Sequence, residues 1–201
     1  LITLGVIGVV SAITLPILIQ SYQKHVTVNK LKKFYTDMNQ VLMHAKADNG
    51  DFSTWNYENS EEFYNNYIKP YIKNVDKVQI NIHVSYDFPR GVRFVFTDGT
   101  QGILSTTSNF LSDEHPVLLF YTNVKSFSDI NGYDIKHPSR ERFYFQINNN
   151  GILVPPHLDL ARYRNVGLCR SYKVLESNNG FTDCSTLIYK DGWKISDDYP
   201  W

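Results

Sequence analysis

At 201 residues, with 42% hydrophobic and 20% charged, the chain can form one moderate domain plus an anchor and is too apolar to be disordered. Lysine plus arginine equals aspartate plus glutamate at 20 each, so no basic excess marks a nucleic-acid-binding surface. The charge is uneven all the same: between Gln20 and Lys46 stand Lys24, Lys30, Lys32, Lys33 and Lys46 against Asp37 alone, a basic collar beside an apolar run.

That run, Leu1 to Ile19, has no charged residue. As a helix it spans roughly 29 Å, close to the ~30 Å hydrocarbon thickness of a bilayer. A secretory signal peptide has a shorter apolar region that ends at a small-residue cleavage site. Here the run passes through Gln20 into a further helical pattern, so it is expected to be retained. Gly5, Gly8 and Ala12 recur at helical spacing with Ser11 beside them, a small-residue stripe where another helix backbone can approach. Glycine and proline are also common in membrane helices generally, and the residues alone leave both readings open. Pro16 removes a backbone donor and marks a site for a kink or local melting.

Beyond the run, Leu31, Phe34, Tyr35, Met38, Val41, Leu42 and Ala45 fall at three- and four-residue steps and define one apolar helix face. Asp48-Asn49-Gly50 supplies the stop, with Gly50 suited to the left-handed position after a helix. One helix is therefore expected from about Leu1 to about Asp48, roughly 70 Å long. Its first half is apolar all round, and its second half is one-sided. Such a helix needs lipid or a filament around one half and a globular head against the other.

The segment LITLGVIGVVSAITLPILIQSYQ resembles the N-terminal helix of prepilin-type proteins, the type IV pilins and type II secretion pseudopilins. The resemblance is strong from Leu1 to Gln23, Pro16 included, and looser to Gly50. In that family the mature chain opens on a methylated phenylalanine with a glutamate nearby, after a short basic leader. This sequence starts inside the apolar run, so it is expected to lack that start. The resemblance implies a single-pass protein of the bacterial inner membrane with its head extracytoplasmic. Leu1, Leu4, Gly5, Gly8, Ser11, Ala12 and Pro16 would pack in self-association into a helical filament. It also implies a prepilin peptidase, an assembly platform and an ATPase as partners, and a structural rather than enzymatic role. The alternative is a monomeric membrane-anchored binding protein of the extracytoplasmic space.

Residues 1–50 are thus read as a stalk and 51–201 as a globular head. Asn59 is placed to cap a short helix whose apolar side is Phe63, Tyr67 and Tyr71, ended or bent by Pro70. Val78, Ile80, Ile82 and Val84 alternate with polar residues as a half-buried strand. Val92, Phe94 and Phe96 alternate before Asp98-Gly99, a hairpin signal, and Ile103-Leu104 return. Pro116 to Tyr121 is a further strand; Phe143, Phe145 and Ile147 lead through Asn150-Gly151 to Ile152-Leu153-Val154. The fold class is α+β, a long helix packed on an antiparallel sheet.

Cys169 and Cys184, beside a membrane segment, read as a disulfide made in an oxidising compartment rather than as two thiols. Asp129, Asn131 and Asp134 put oxygen ligands in a Gly-containing turn, the donor type calcium prefers, although the spacing departs from an EF-hand and an Asx-rich turn explains it as well. Some major pseudopilins carry calcium in their C-terminal loops. No other cofactor is expected. The histidines show no metal-site spacing, and no nucleophile-elbow, phosphate-loop or zinc-protease motif occurs.

Overall fold

A computed structural model describes residues 2–83, 90–106, 115–123, 138–156, 169 and 184–201, with the side chains of residues 2–6, 138 and 139 outside that description. Helix α1 runs Ile2–Asn49 and stays helical through Pro16. Gly50 ends it at φ +80°, its N–H donating to the Lys46 carbonyl at 3.0 Å.

The one-sided half of α1 buries the stripe expected from its spacing. Leu31, Phe34, Met38, Val41, Leu42 and Ala45 are buried, together with Val28, and Tyr35 is half-buried at the flank. Phe34 stacks on Phe120 at 4.4 Å between ring centroids and meets Phe96 edge-on at 6.2 Å. Such aromatic pairs add roughly 0.5–1.5 kcal/mol beyond their buried area.

A 3-10 turn at Phe52–Thr54 follows α1, and Trp55 Nε1 donates back to the Gly50 carbonyl at 3.1 Å. Helix α2 (Ser60–Phe63) is capped by Asn59, whose side chain accepts from the Glu61 N–H at 2.8 Å. It widens into a π-helical turn, Tyr64–Ile68, which stops before Pro70. The widening places Tyr64 and Ile68 with Phe63 in the core, while Tyr67 stacks on Trp55 at 4.2 Å.

Six antiparallel strands lie in chain order: β1 (Val75–Ile82), β2 (Gly91–Phe96), β3 (Gln101–Ser105), β4 (Val117–Tyr121), β5 (Arg142–Ile147) and β6 (Leu153–Val154). The β2–β3 hairpin turns at Gly99, φ +78°, and the β5–β6 hairpin at Gly151, φ +72°. The face toward α1 carries Val92, Phe94, Leu104, Leu118, Phe120, Phe143, Phe145, Ile147 and Leu153, all buried. Gly102 sits between Phe94 and Phe120 on neighbouring strands, and a Cβ there would collide with the Phe94 ring.

Helices α3 (Pro138–Glu141) and α4 (Cys184–Lys190) complete the described elements. The start of α4 is bonded to Cys169 by the Cys169–Cys184 disulfide, and both cysteines are fully buried. Ser185 Oγ donates to the Tyr144 carbonyl at 2.6 Å and Thr186 Oγ to the Pro156 carbonyl at 2.7 Å, so α4 is anchored to the sheet.

The sheet departs from expectation in two ways. Strand β1 is not half-buried: Val78 and Ile80 are each 42% exposed. A helix about 10 Å across covers two or three strands spaced about 4.8 Å apart, and the edge strand lies beyond that shelter. Val84, counted in the same pattern, lies outside the described residues. The second departure is that the far face is also covered, with Ile103, Val117, Leu119, Tyr121 and Tyr144 buried.

Candidate assembly surface

Helix α1 changes character along its length. From Val28 onward it is part of the head, whereas Ile7 to Ile19 stands in solvent on every side. Ile7 is 66% exposed, Ile13 62% and Leu18 69%, and Val9, Val10, Leu15, Ile17 and Ile19 are each more than half exposed. An arm of this kind is helical because its backbone bonds are satisfied within the segment. Thr14 adds one more, donating its hydroxyl to the Val10 carbonyl at 2.9 Å. Pro16 has no N–H, so the Ala12 carbonyl lacks its usual helical donor.

At 100° per residue Gly5, Gly8, Ala12 and Pro16 fall on one side of this arm. The space outside Gly8 is open, with no atom within 4 Å of a Cβ built there. Ser11 is half-buried and Ala12 and Pro16 are exposed. The side chain of Leu4 lies outside the described residues, as does Leu1 entirely. Among the described residues no helix is long and apolar enough to cross a membrane. Ile7–Ile19 alone spans about 20 Å, so a crossing of ~30 Å requires the residues before it as well.

The basic collar is partly neutralised by the head. Lys30 Nζ donates to the Thr122 carbonyl at 3.1 Å, and Lys46 pairs with Asp51 at 3.0 Å. Lys33 bridges Asp37 at 3.4 Å and Asp98 at 3.5 Å. Burial pushes the Asp98 carboxyl up, but hydrogen bonds from the Thr100 hydroxyl and N–H, with the Lys33 charge, outweigh it and hold the group below the usual carboxylate range. Lys24 lies apart, in a groove against the C-terminal segment.

Two polar devices escaped the sequence reading. Asn39, on α1, accepts from the Leu153 N–H at 2.9 Å and donates to its carbonyl at 3.3 Å, so its amide occupies the outer edge of β6. On the far sheet face Arg93, 7% exposed, donates to Gln101 Oε1 at 2.7 Å and to Gln79 Oε1 at 2.8 Å. The only hint was an arginine inside the apolar stretch Gly91-Val92-Arg93-Phe94-Val95-Phe96. Beside it, burial raises the Tyr121 hydroxyl, with Arg142 and Arg93 pulling the other way. The calcium candidates Asp129, Asn131 and Asp134 lie outside the described residues. Among those described, no group of three His, Cys, Asp or Glu side chains could hold a metal ion.

No curated protein matches the chain. No solved structure matches it either. A family model does match, over residues 17–153, from the last three residues of the exposed arm through all of β1 to β5 and into β6. That is more than half of the sequence, and the chain belongs to the family of unknown function DUF6613.

Proposed function

We propose that this protein is a structural subunit of a filament of the type IV pilus or type II secretion pseudopilus kind, held in the inner membrane and then assembled through α1. The observation that carries the reading is the arm Ile7–Ile19, a charge-free helix whose large apolar side chains are all more than half exposed. Burying one such Val, Leu or Ile side chain is worth about 1.5–3 kcal/mol. A contiguous apolar surface of this size in water drives association or lipid insertion. The stripe Gly5, Gly8, Ala12 and Pro16 gives neighbouring copies a side on which backbones can approach. A heterologous contact that does not close on itself then produces a helical polymer.

The buried Cys169–Cys184 disulfide supports an extracytoplasmic head. The lysine collar alone would favour the opposite orientation under the positive-inside tendency, so the disulfide is the stronger guide here. The role is mechanical: platform, ATPase and peptidase act on the arm, and the head is displayed.

The test compares the full chain with one lacking residues 1–19. The full chain should be found in the membrane fraction and in filaments beside its assembly machinery, and the shortened chain should be a soluble monomer. Full-length protein that stays monomeric in the membrane beside that machinery would favour the anchored binding protein. A shortened chain that still partitions with membranes would remove the arm from the account.

A further inference from the structure

We propose that the groove where the arm meets the head is a binding site for the phosphodiester of an anionic lipid headgroup. This inference rests on the membrane reading above and adds a ligand to it. The groove, about 410 Å³, lies between the α1 turns around Ser21–His25 and the C-terminal segment Trp193–Asp197. Its upper lip is Ile17, inside the charge-free run, and its lower lip is Val28, the first core residue of the helix. With the run in the hydrocarbon, the groove lies at the level of the headgroups.

Its chemistry suits a phosphodiester. Lys24 and Lys194, far apart in sequence, line the same groove, with His25 and Ser21 as further polar groups and Asp197 as the one acid. Neither lysine has an ion-pair partner among the described residues, in contrast to Lys33 and Lys46 in the same collar. Asp197 offsets one of the two ammonium charges, so the groove keeps a net positive charge that an anion meets favourably. Ile17 and Ile195 add apolar side chains to the same lining, as an amphiphile requires.

The backbone is bent to bring the second lysine in. After α4, Gly192 (φ +71°) and Trp193 (φ +62°) are both left-handed. For tryptophan that conformation is strained and persists only when its surroundings hold it. Trp193 is held by Tyr35 at 4.9 Å and Tyr189 at 5.4 Å between ring centroids, and by its N–H bond to the Ile188 carbonyl at 2.8 Å. The turn directs Lys194 and Ile195 against α1.

The test is competitive flotation of the full chain, diluted from detergent into a mixture of phosphatidylcholine vesicles and phosphatidylcholine–phosphatidylglycerol vesicles of different density. The wild type should prefer the anionic population, and Lys24→Gln/Lys194→Gln should lose about fivefold of that preference per lysine, roughly 25-fold together. Lys32→Gln/Lys69→Gln, the same charge change on exposed sites outside the groove, should keep most of it. Equal partition of the wild type overturns the site, and so does an equal loss in both double variants, which would make the effect one of net charge. Inorganic phosphate that abolishes the preference would assign the groove to a free anion and overturn the lipid. Failure to float with either population would instead remove the membrane reading beneath it.

Discussion

A leucine at position 8 separates the fate of the single chain from that of the assembly. In the single chain a side chain at Gly8 enters open space, with nothing within 4 Å of its Cβ. Exchanging glycine for leucine in an exposed helix is worth roughly 0.8 kcal/mol in propensity, and the added apolar surface favours lipid. In a close-packed bundle the same atoms land where the small stripe lets backbones meet, and overpacking costs about 1–3 kcal/mol per site. The monomer therefore gains slightly while each contact loses on the order of tenfold in association, and a polymer repeats that loss at every subunit. Membrane fractionation and electron microscopy of wild type and Gly8→Leu read the two effects separately. Retention in the membrane should survive and filaments should disappear. Normal filament yield with leucine at Gly5, Gly8 and Ala12 together would refute the packing argument.

Three further outcomes concern the head. Reducing Cys169–Cys184, separated by 15 residues, should lower the melting temperature, by an amount corresponding to about 3 kcal/mol in the chain-entropy model. An unchanged melt with both thiols titratable would show that the bridge adds no stability. Gly102→Ala should cost about 1–3 kcal/mol in chemical denaturation, because its methyl meets the Phe94 ring in a filled core; an unshifted midpoint would mean that the ring has room to move. Asp98 is held below the usual carboxylate range despite its partial burial, by Thr100 and Lys33. Its contribution to stability is therefore complete above the unfolded carboxylate value and is lost as pH falls through the lower folded one. Asp98→Asn should flatten that part of the acid-unfolding curve, and an identical curve for the variant would discount the interaction.

The helix was legible because its signals are local and periodic. Leu31 to Ala45 repeat at three- and four-residue steps, and Gly50 stops them, so both face and end could be read. Strands β2 and β5 were legible by alternation, and the two hairpins by Asp98-Gly99 and Asn150-Gly151. What alternation cannot tell is how wide a neighbouring layer is. Val78 and Ile80 carry the same pattern as Val92 and Phe94, but they lie at the sheet edge, where α1 does not reach. Pro116 to Tyr121 reads only as a further strand, and the burial of Val117–Tyr121 on both faces came from the structure. Asn39 on Leu153 and Arg93 on Gln79 and Gln101 depend on side chains meeting across the fold, and no spacing in the sequence encodes them. The groove of Lys24 and Lys194 joins the two ends of the chain and was invisible for the same reason.

The central claim is that the exposed arm packs against copies of itself, and a single cysteine placed on it tests this most directly. Cys169 and Cys184 are joined and no free cysteine occurs among the described residues, so Ala12→Cys introduces the one reactive thiol there. Mild oxidation of the assembled protein should give covalent dimers linked through position 12, while Lys32→Cys, on the exposed side of the head-bound half of α1, should give few. An Ala12→Cys thiol that remains free in protein produced beside its assembly machinery, with the chain monomeric in the membrane, would contradict the account.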